Sequence, residues 1–227
     1  MRLHFSLSSS TSLVPFSHYH ALTGRLHRWL GNNELHDGLS LYSLSGLQGG
    51  GARDGGLVFP RGATFFLSAP DTPEGTQLIG AVAGAALQDP EVCYGMEVVQ
   101  IHSESTPEFG SRRVFRANSP IFIRGEKVGD KDPHILFSEP ELASELMTKT
   151  LRHKLDKAGL GHLSESVKVE FDLDYKSPKI KLIHVKENFY KKASVCPVLV
   201  EGEPEAVRFA WNCGIGNLTG SGFGSLV

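Results

Sequence analysis

The chain has 227 residues, with 23 Lys and Arg against 25 Asp and Glu, a net charge of −2. That balance excludes a bulk polycation that holds nucleic acid by total charge alone, though not a local basic surface. With 40% hydrophobic and 21% charged residues the composition excludes a disordered chain, and the length fits about one large domain or two small ones. The cysteines, Cys93, Cys196 and Cys213, are odd in number, far apart and match no CxxC spacing. They read as reduced thiols of a cytoplasmic protein. No stretch approaches the roughly 18 apolar residues of a membrane span. The start, MRLHFSLS, alternates polar and apolar residues where a signal peptide needs a continuous apolar run.

The alternation of Met1, Leu3, Phe5 and Leu7 predicts a half-buried strand. Pro15 and Ser17 then introduce a helix with Leu22, Leu26, Trp29 and Leu30 at helical spacing, stopped by Gly31-Asn32-Asn33. An extended run, Leu39 to Leu47, leads into a glycine-rich stretch, Gly46 to Gly51 with Gly55-Gly56, which reads as a flexible hairpin connection. Ala63 to Ala69 suits a buried strand. Pro73 to Leu87 reads as a helix with Leu78, Ile79, Val82 and Ala86 inward, and Val92 to His102 as one further strand. The order is β-α-β-β-α-β.

The pattern then restarts. Ser119 to Arg124 is a short strand, and Glu139 to Lys157 a helix with Leu142, Leu146, Thr150 and Leu155 near one face. Val167 to Leu173 and Lys179 to Val185 alternate as strands, Val195 to Val200 is another, Pro204 to Cys213 is a short helix ended by Gly214, and Phe223 to Val227 a last strand. This order is again close to β-α-β-β-α-β, the ferredoxin-like or RRM-like unit. The expected fold is α+β, two tandem ferredoxin-like (RRM-like) domains over 1–110 and 111–227, joined through residues 104–118. No sequence repeat links the halves; the duplication rests on element order.

The most specific feature is the tail Gly214-Ile215-Gly216-Asn217-Leu218-Thr219-Gly220-Ser221-Gly222-Phe223-Gly224, five glycines within eleven residues between a helix and a final strand. Glycine lets a backbone approach a ligand closely, and successive free N–H groups in such a turn make an anion-binding concavity. A dinucleotide fingerprint opens a helix after a strand, which is the reverse order. The tail resembles the glycine-rich signature of the RAMP superfamily, the RRM-like proteins of CRISPR systems. The run from Val14 to Leu47, VPFSHYHALTGRLHRWLGNNELHDGLSLYSLSGL, resembles the CRISPR RNA-processing endoribonucleases, the sixth Cas family, as do the Ser119-Pro120-Ile121 strand start and the Gly-Phe-Gly ending. The resemblance covers essentially the whole chain.

It implies cutting of CRISPR repeat RNA without a metal or cofactor. The RNA's own 2′-OH attacks the adjacent phosphate and leaves a cyclic phosphate and a 5′-OH. That chemistry needs a base, an acid and a stabiliser of phosphate charge, and imidazole titrates in the useful range. His36, in Glu34-Leu35-His36-Asp37-Gly38, matches the family's loop histidine, and His27, late in the first helix, is the expected proton-transfer partner. His20 shares the face of His27. The family's lysine shortly after the loop histidine is missing here, so charge stabilisation falls to Arg25, Arg28, Ser40, Tyr42 or the glycine loop. Within the same fold the alternative is a non-catalytic RAMP subunit that binds repeat RNA. Relatives also join larger CRISPR effector complexes. Neither a membrane nor a small-molecule substrate is expected.

Local charge is more informative than net charge. Met1 to Leu30 carries Arg2, Arg25 and Arg28 and no acid, and Leu146 to Val195 carries eleven Lys and Arg against six acids. Lys149, Arg152, His153 and Lys157 lie on the second domain's first helix, Lys191 and Lys192 follow Phe189-Tyr190, and Arg112, Arg113 and Arg116 lie at the join. The expected RNA contacts are Arg28, Lys149, Arg152, Lys157, Lys191 and Lys192, with Gly214, Gly216, Gly220 and Gly222 of the tail. Such side chains neutralise phosphates without reading sequence. No RNP1 pattern is present, so base stacking on a sheet face is not the expected mode.

Overall fold

The computed structural model describes residues 1–31, 39–127, 129, 133–186 and 189–227. In the strand β1 (Arg2–Leu7) Leu3, Phe5 and Leu7 are buried, while Arg2, His4 and Ser6 take the opposite face. The helix α1 (Tyr19–Leu30) buries Leu22, Leu26 and Trp29 against that apolar row. Phe5 lies between Phe65, at 4.5 Å between ring centroids, and Trp29, at 5.6 Å. The chain continues through β2 (Ser43–Leu44), a β3–β4 hairpin (Gly51–Arg53 and Gly56–Val58), β5 (Thr64–Ser68) and α2 (Pro73–Gln88). Pro73 opens α2, and the Thr72 side chain accepts from the Gly75 N–H at 3.2 Å. Two strands follow, β6 (Glu91–Cys93) and β7 (Met96–Glu104). The sheet runs β2-β5-β1-β7-β6, antiparallel throughout. Without the edge strand β6 this is the ferredoxin-like arrangement, both helices packing on one face.

The second half repeats it. β8 (Arg112–Phe115) is followed by a small ladder, β9 (Ile123–Arg124) with β10 (His134–Ile135), then α3 (Pro140–Lys157) and β11 (Lys168–Phe171). A long hairpin, β12 (Lys179–Lys186) with β13 (Phe189–Val195), stands between β11 and β14 (Val198–Glu201). α4 (Pro204–Cys213) and the glycine tail close the chain. The sheet order is β11-β14-β8, extended past β8 by the Ala117–Leu226 bridge and the Arg116–Val227 exchange at 2.9 and 3.0 Å.

Several expected elements shift. Val92 to His102 is a hairpin, because Tyr94 and Gly95 turn at φ of 54° and 71°. A tyrosine in the first turn position hides the signal that Asn or Gly would give. The second half opens with β8 rather than Ser119–Arg124. β8 escapes detection because Arg112, Arg113 and Val114 are exposed and Phe115 alone is buried. β13 is also an addition. The core face of α3 is Ala143, Met147, Leu151, Lys154 and Leu155, one residue out of phase with the expected stripe, and Leu142 stays 41% exposed. Small Ala143 lets α3 lie close to β11, where the Ser144 hydroxyl donates to Val169 O at 2.7 Å. Phe223–Val227 is an irregular segment with one bridge instead of a strand.

The halves share an interior seam. The Arg2 guanidinium lies 3.9 Å from the Phe66 ring centroid and 3.6 Å from that of Trp211, and donates to Leu226 O at 2.8 Å. Ser43 Oγ donates to Asn212 O at 2.9 Å, and Cys213 Sγ to Leu41 O at 3.3 Å. The three cysteines are unpaired. No helix among the described residues is long and apolar enough to cross a membrane.

Candidate functional site

α1 ends the seam at one edge, against the short turn Thr219–Ser221 of the glycine tail. Tyr19 opens α1 and packs its ring on Gly222, whose φ of +87° and contact with that ring leave no room for a side chain. Gly216, at φ +81°, lies as closely over Phe122 O. Gly214 and Gly220 are buried too. All four glycines are buried, and they let the tail pack tightly between the halves.

On α1, His20 is exposed, His27 is half-buried and Arg28 is exposed. Arg25 turns the other way. It is buried, donates to Asp89 Oδ2 at 2.6 Å and to Val92 O at 3.3 Å, and so braces α1 against the β6 edge. His36 lies outside the described residues. Leu39 lies beside the tail. Ser40 is half-buried; Tyr42 is buried, its ionisation pushed up by burial against a bond to Ser40. Thr219 Oγ1 donates to Tyr42 O at 2.8 Å.

Beneath that contact lies Lys154, which sequence reasoning missed. Its stem fills the α3 core face, and its ammonium donates to Cys213 O at 3.0 Å, Gly214 O at 3.3 Å and Thr219 Oγ1 at 3.0 Å. Burial lowers its pKa to about 8. Its place on the apolar face at i+3 from Leu151 would have been visible only with the helix phase right.

On the outer side of α3, Lys149 and His153 line a groove with Arg124 and Asn217 that begins at Leu39. Arg124 was also missed: a single cation at a strand end carries no pattern. Asn217 Oδ1 accepts from the Arg124 N–H at 2.8 Å and holds that strand end to the tail. The remaining expected contacts scatter. Arg152 donates to Val167 O at 3.3 Å and Glu165 O at 3.4 Å, which ties α3 to the turn before β11. Lys157 is exposed at a separate, largely apolar cleft with Leu30, Tyr42 and Leu78. Lys191, expected to contact RNA, is 2% exposed, its ammonium 4.8 Å from the Phe122 ring centroid. Lys192 is exposed on the hairpin.

Two ferredoxin-like units joined by a buried glycine tail, with a groove carrying Arg124, Lys149 and Glu126 opening beside it, define a tandem RRM-like protein. The family model described as CRISPR associated protein Cas6, C-terminal, matches residues 104–227. The chain belongs to the Cas6 family, whose members are endoribonucleases that process CRISPR repeat RNA. No curated protein matches the sequence. Among solved structures, the product of a Cas6-related gene from Pyrococcus furiosus is 19% identical with a TM-score of 0.83, covering 100% of this chain and 97% of that one. A protein described as a RAMP protein binding different RNA substrates is 20% identical at a TM-score of 0.83, covering 100% and 98%. A Cas6 product complex is 16% identical at 0.67, covering 100% and 99%. These likenesses carry the fold.

Proposed function

We propose that this chain is a cytoplasmic, metal-independent endoribonuclease that cuts CRISPR repeat RNA once per repeat by 2′-OH attack, leaving a cyclic phosphate and a 5′-OH. The observation that carries this reading is the groove of Arg124, Lys149 and His153, with Glu126 the one acid among its described lining residues, which opens at Leu39 beside the tail, with α1 packed on the same tail. The unit spanning 1–110 brings the histidines and the unit spanning 111–227 brings the phosphate-binding side chains. His36 and His27 share the two proton transfers, an assignment that for His36 rests on sequence resemblance. The product complex among the similar structures supports retention of the cut RNA, and retention supports assembly with other subunits of a CRISPR effector complex.

The test is cleavage of the cognate repeat RNA in excess EDTA, with the product ends identified. One cut with a 5′-OH and a cyclic phosphate is expected. His36→Ala should abolish cutting and leave binding within a few-fold, and His27→Ala should slow cutting in part. Tight binding without cutting by the unaltered chain would instead identify a non-catalytic RNA-binding subunit.

A further inference from the structure

Between Leu39–Ser40 and the tail lies a cavity of about 170 Å³. Its polar lining is Ser40, Arg124, Lys154, Asn217 and Thr219. Two cations line it, and no carboxylate does so among the described residues. Lys154 is compensated only by neutral groups, two carbonyls and a hydroxyl, so its charge stays uncancelled inside the protein. Charges in a water-poor setting act over longer range than exposed ones. The nearby N–H groups of Leu218 and Thr219 meet no acceptor among the described residues. Leu218 sits at φ +59°, a conformation a leucine seldom takes, so the tail is held in this shape by its surroundings.

We infer that this cavity is a phosphodiester-binding subsite. Arg124 contacts the phosphate oxygens, Ser40 and Thr219 border them, and Lys154 acts as a positioning residue that holds the tail in place and supplies field from below. A guanidinium beside hydroxyls and a second cation, with no acid among the described lining residues, matches an oxyanion of fixed negative charge. The subsite opens into the groove carrying Lys149 and His153, sharing Leu39, Arg124 and Asn217 with it. Glu126 offsets one charge in that groove, and Arg124 with Lys149 leaves a net positive path along which a polyanionic strand can continue beside α3. Identifying the ligand as an RNA backbone phosphate rests on the reading under Proposed function; the affinity for an oxyanion does not.

Sulfate, with constant charge near neutrality, is the probe. Titrated into the full chain and followed by amide NMR, it should give saturable shifts confined to Leu218, Thr219, Gly220 and Arg124. Arg124→Ala, an exposed change that leaves the core intact, should weaken sulfate at least ten-fold, and Arg124→Lys should recover part of the loss. Lys154→Met, shown by its melting curve to be folded, should also weaken sulfate. With repeat RNA, Arg124→Ala should lower the slope of log affinity against log salt by about 1. Absent or dispersed shifts, or an Arg124→Ala variant with unchanged sulfate affinity, overturn the subsite. Sulfate bound as expected by a chain that neither binds nor cuts repeat RNA upholds the subsite and overturns the RNA reading.

Discussion

Lys154 shows how one residue can join both halves of the molecule. Its amine reaches the last carbonyl of α4, the first glycine of the tail and the Thr219 hydroxyl, which in turn donates to Tyr42 O in the first half. Burial holds its pKa near 8, below the ordinary 10.5. The folded state therefore binds its proton less tightly than the unfolded chain. This residue's own contribution to stability is least favourable below pH 8 and improves as pH rises from there toward 10.5. Titration of the Lys154 Cε carbon by NMR should give a midpoint near 8; a midpoint above 10 would mean the amine is hydrated. Lys154→Met leaves three buried acceptors without a donor and should cost about 1–3 kcal/mol in urea unfolding.

α3 divides its cations by face. Lys149 is exposed in the groove, whereas Arg152, three residues on, spends its guanidinium on the carbonyls of Glu165 and Val167. Lys149→Ala should therefore weaken repeat-RNA binding and reduce its salt slope by about 1 without moving the melting temperature. Arg152→Ala should do the reverse, lowering stability by about 1 kcal/mol with a near-unchanged slope. Equal salt slopes for Lys149→Ala and the unaltered chain would show that the groove does not follow RNA. The same helix shows what periodicity can miss: a lysine on the buried face and a leucine on the outer one shifted the expected stripe by one position. Likewise β8 hides among arginines, because in a three-residue exposed run nothing alternates.

For the molecule as a whole, the glycine tail is the joint. Gly222 admits the Tyr19 ring from the first half, and Gly216 sits against Phe122 of the second. Gly222→Ala would force a side chain into the left-handed region and into Tyr19. It should destabilise the fold by about 2 kcal/mol or more and lower RNA cutting with it. A melting temperature unchanged in Gly222→Ala would show that the tail can pack another way. The seam around Arg2, held by two rings and by Leu226 O, adds a second tie at the far ends of the sequence.

The order of elements, and with it the doubled α+β fold, was legible in the sequence alone, because strands of period two and helices of period 3.6 leave local marks. So was the family, through the tail and the VPF-to-SGL run. Whether a given charge or glycine is open to a ligand was not legible. Arg25, Arg152 and Lys191 read as free cations along the chain, yet each meets a partner from a distant segment: Asp89, Val167 and the Phe122 ring. Arg124 and Lys154 carry no local mark, and they become a pair because the tail folds back between them. Exposure and charge pairing are set by contacts between residues far apart in the sequence, and only the tertiary structure decides those.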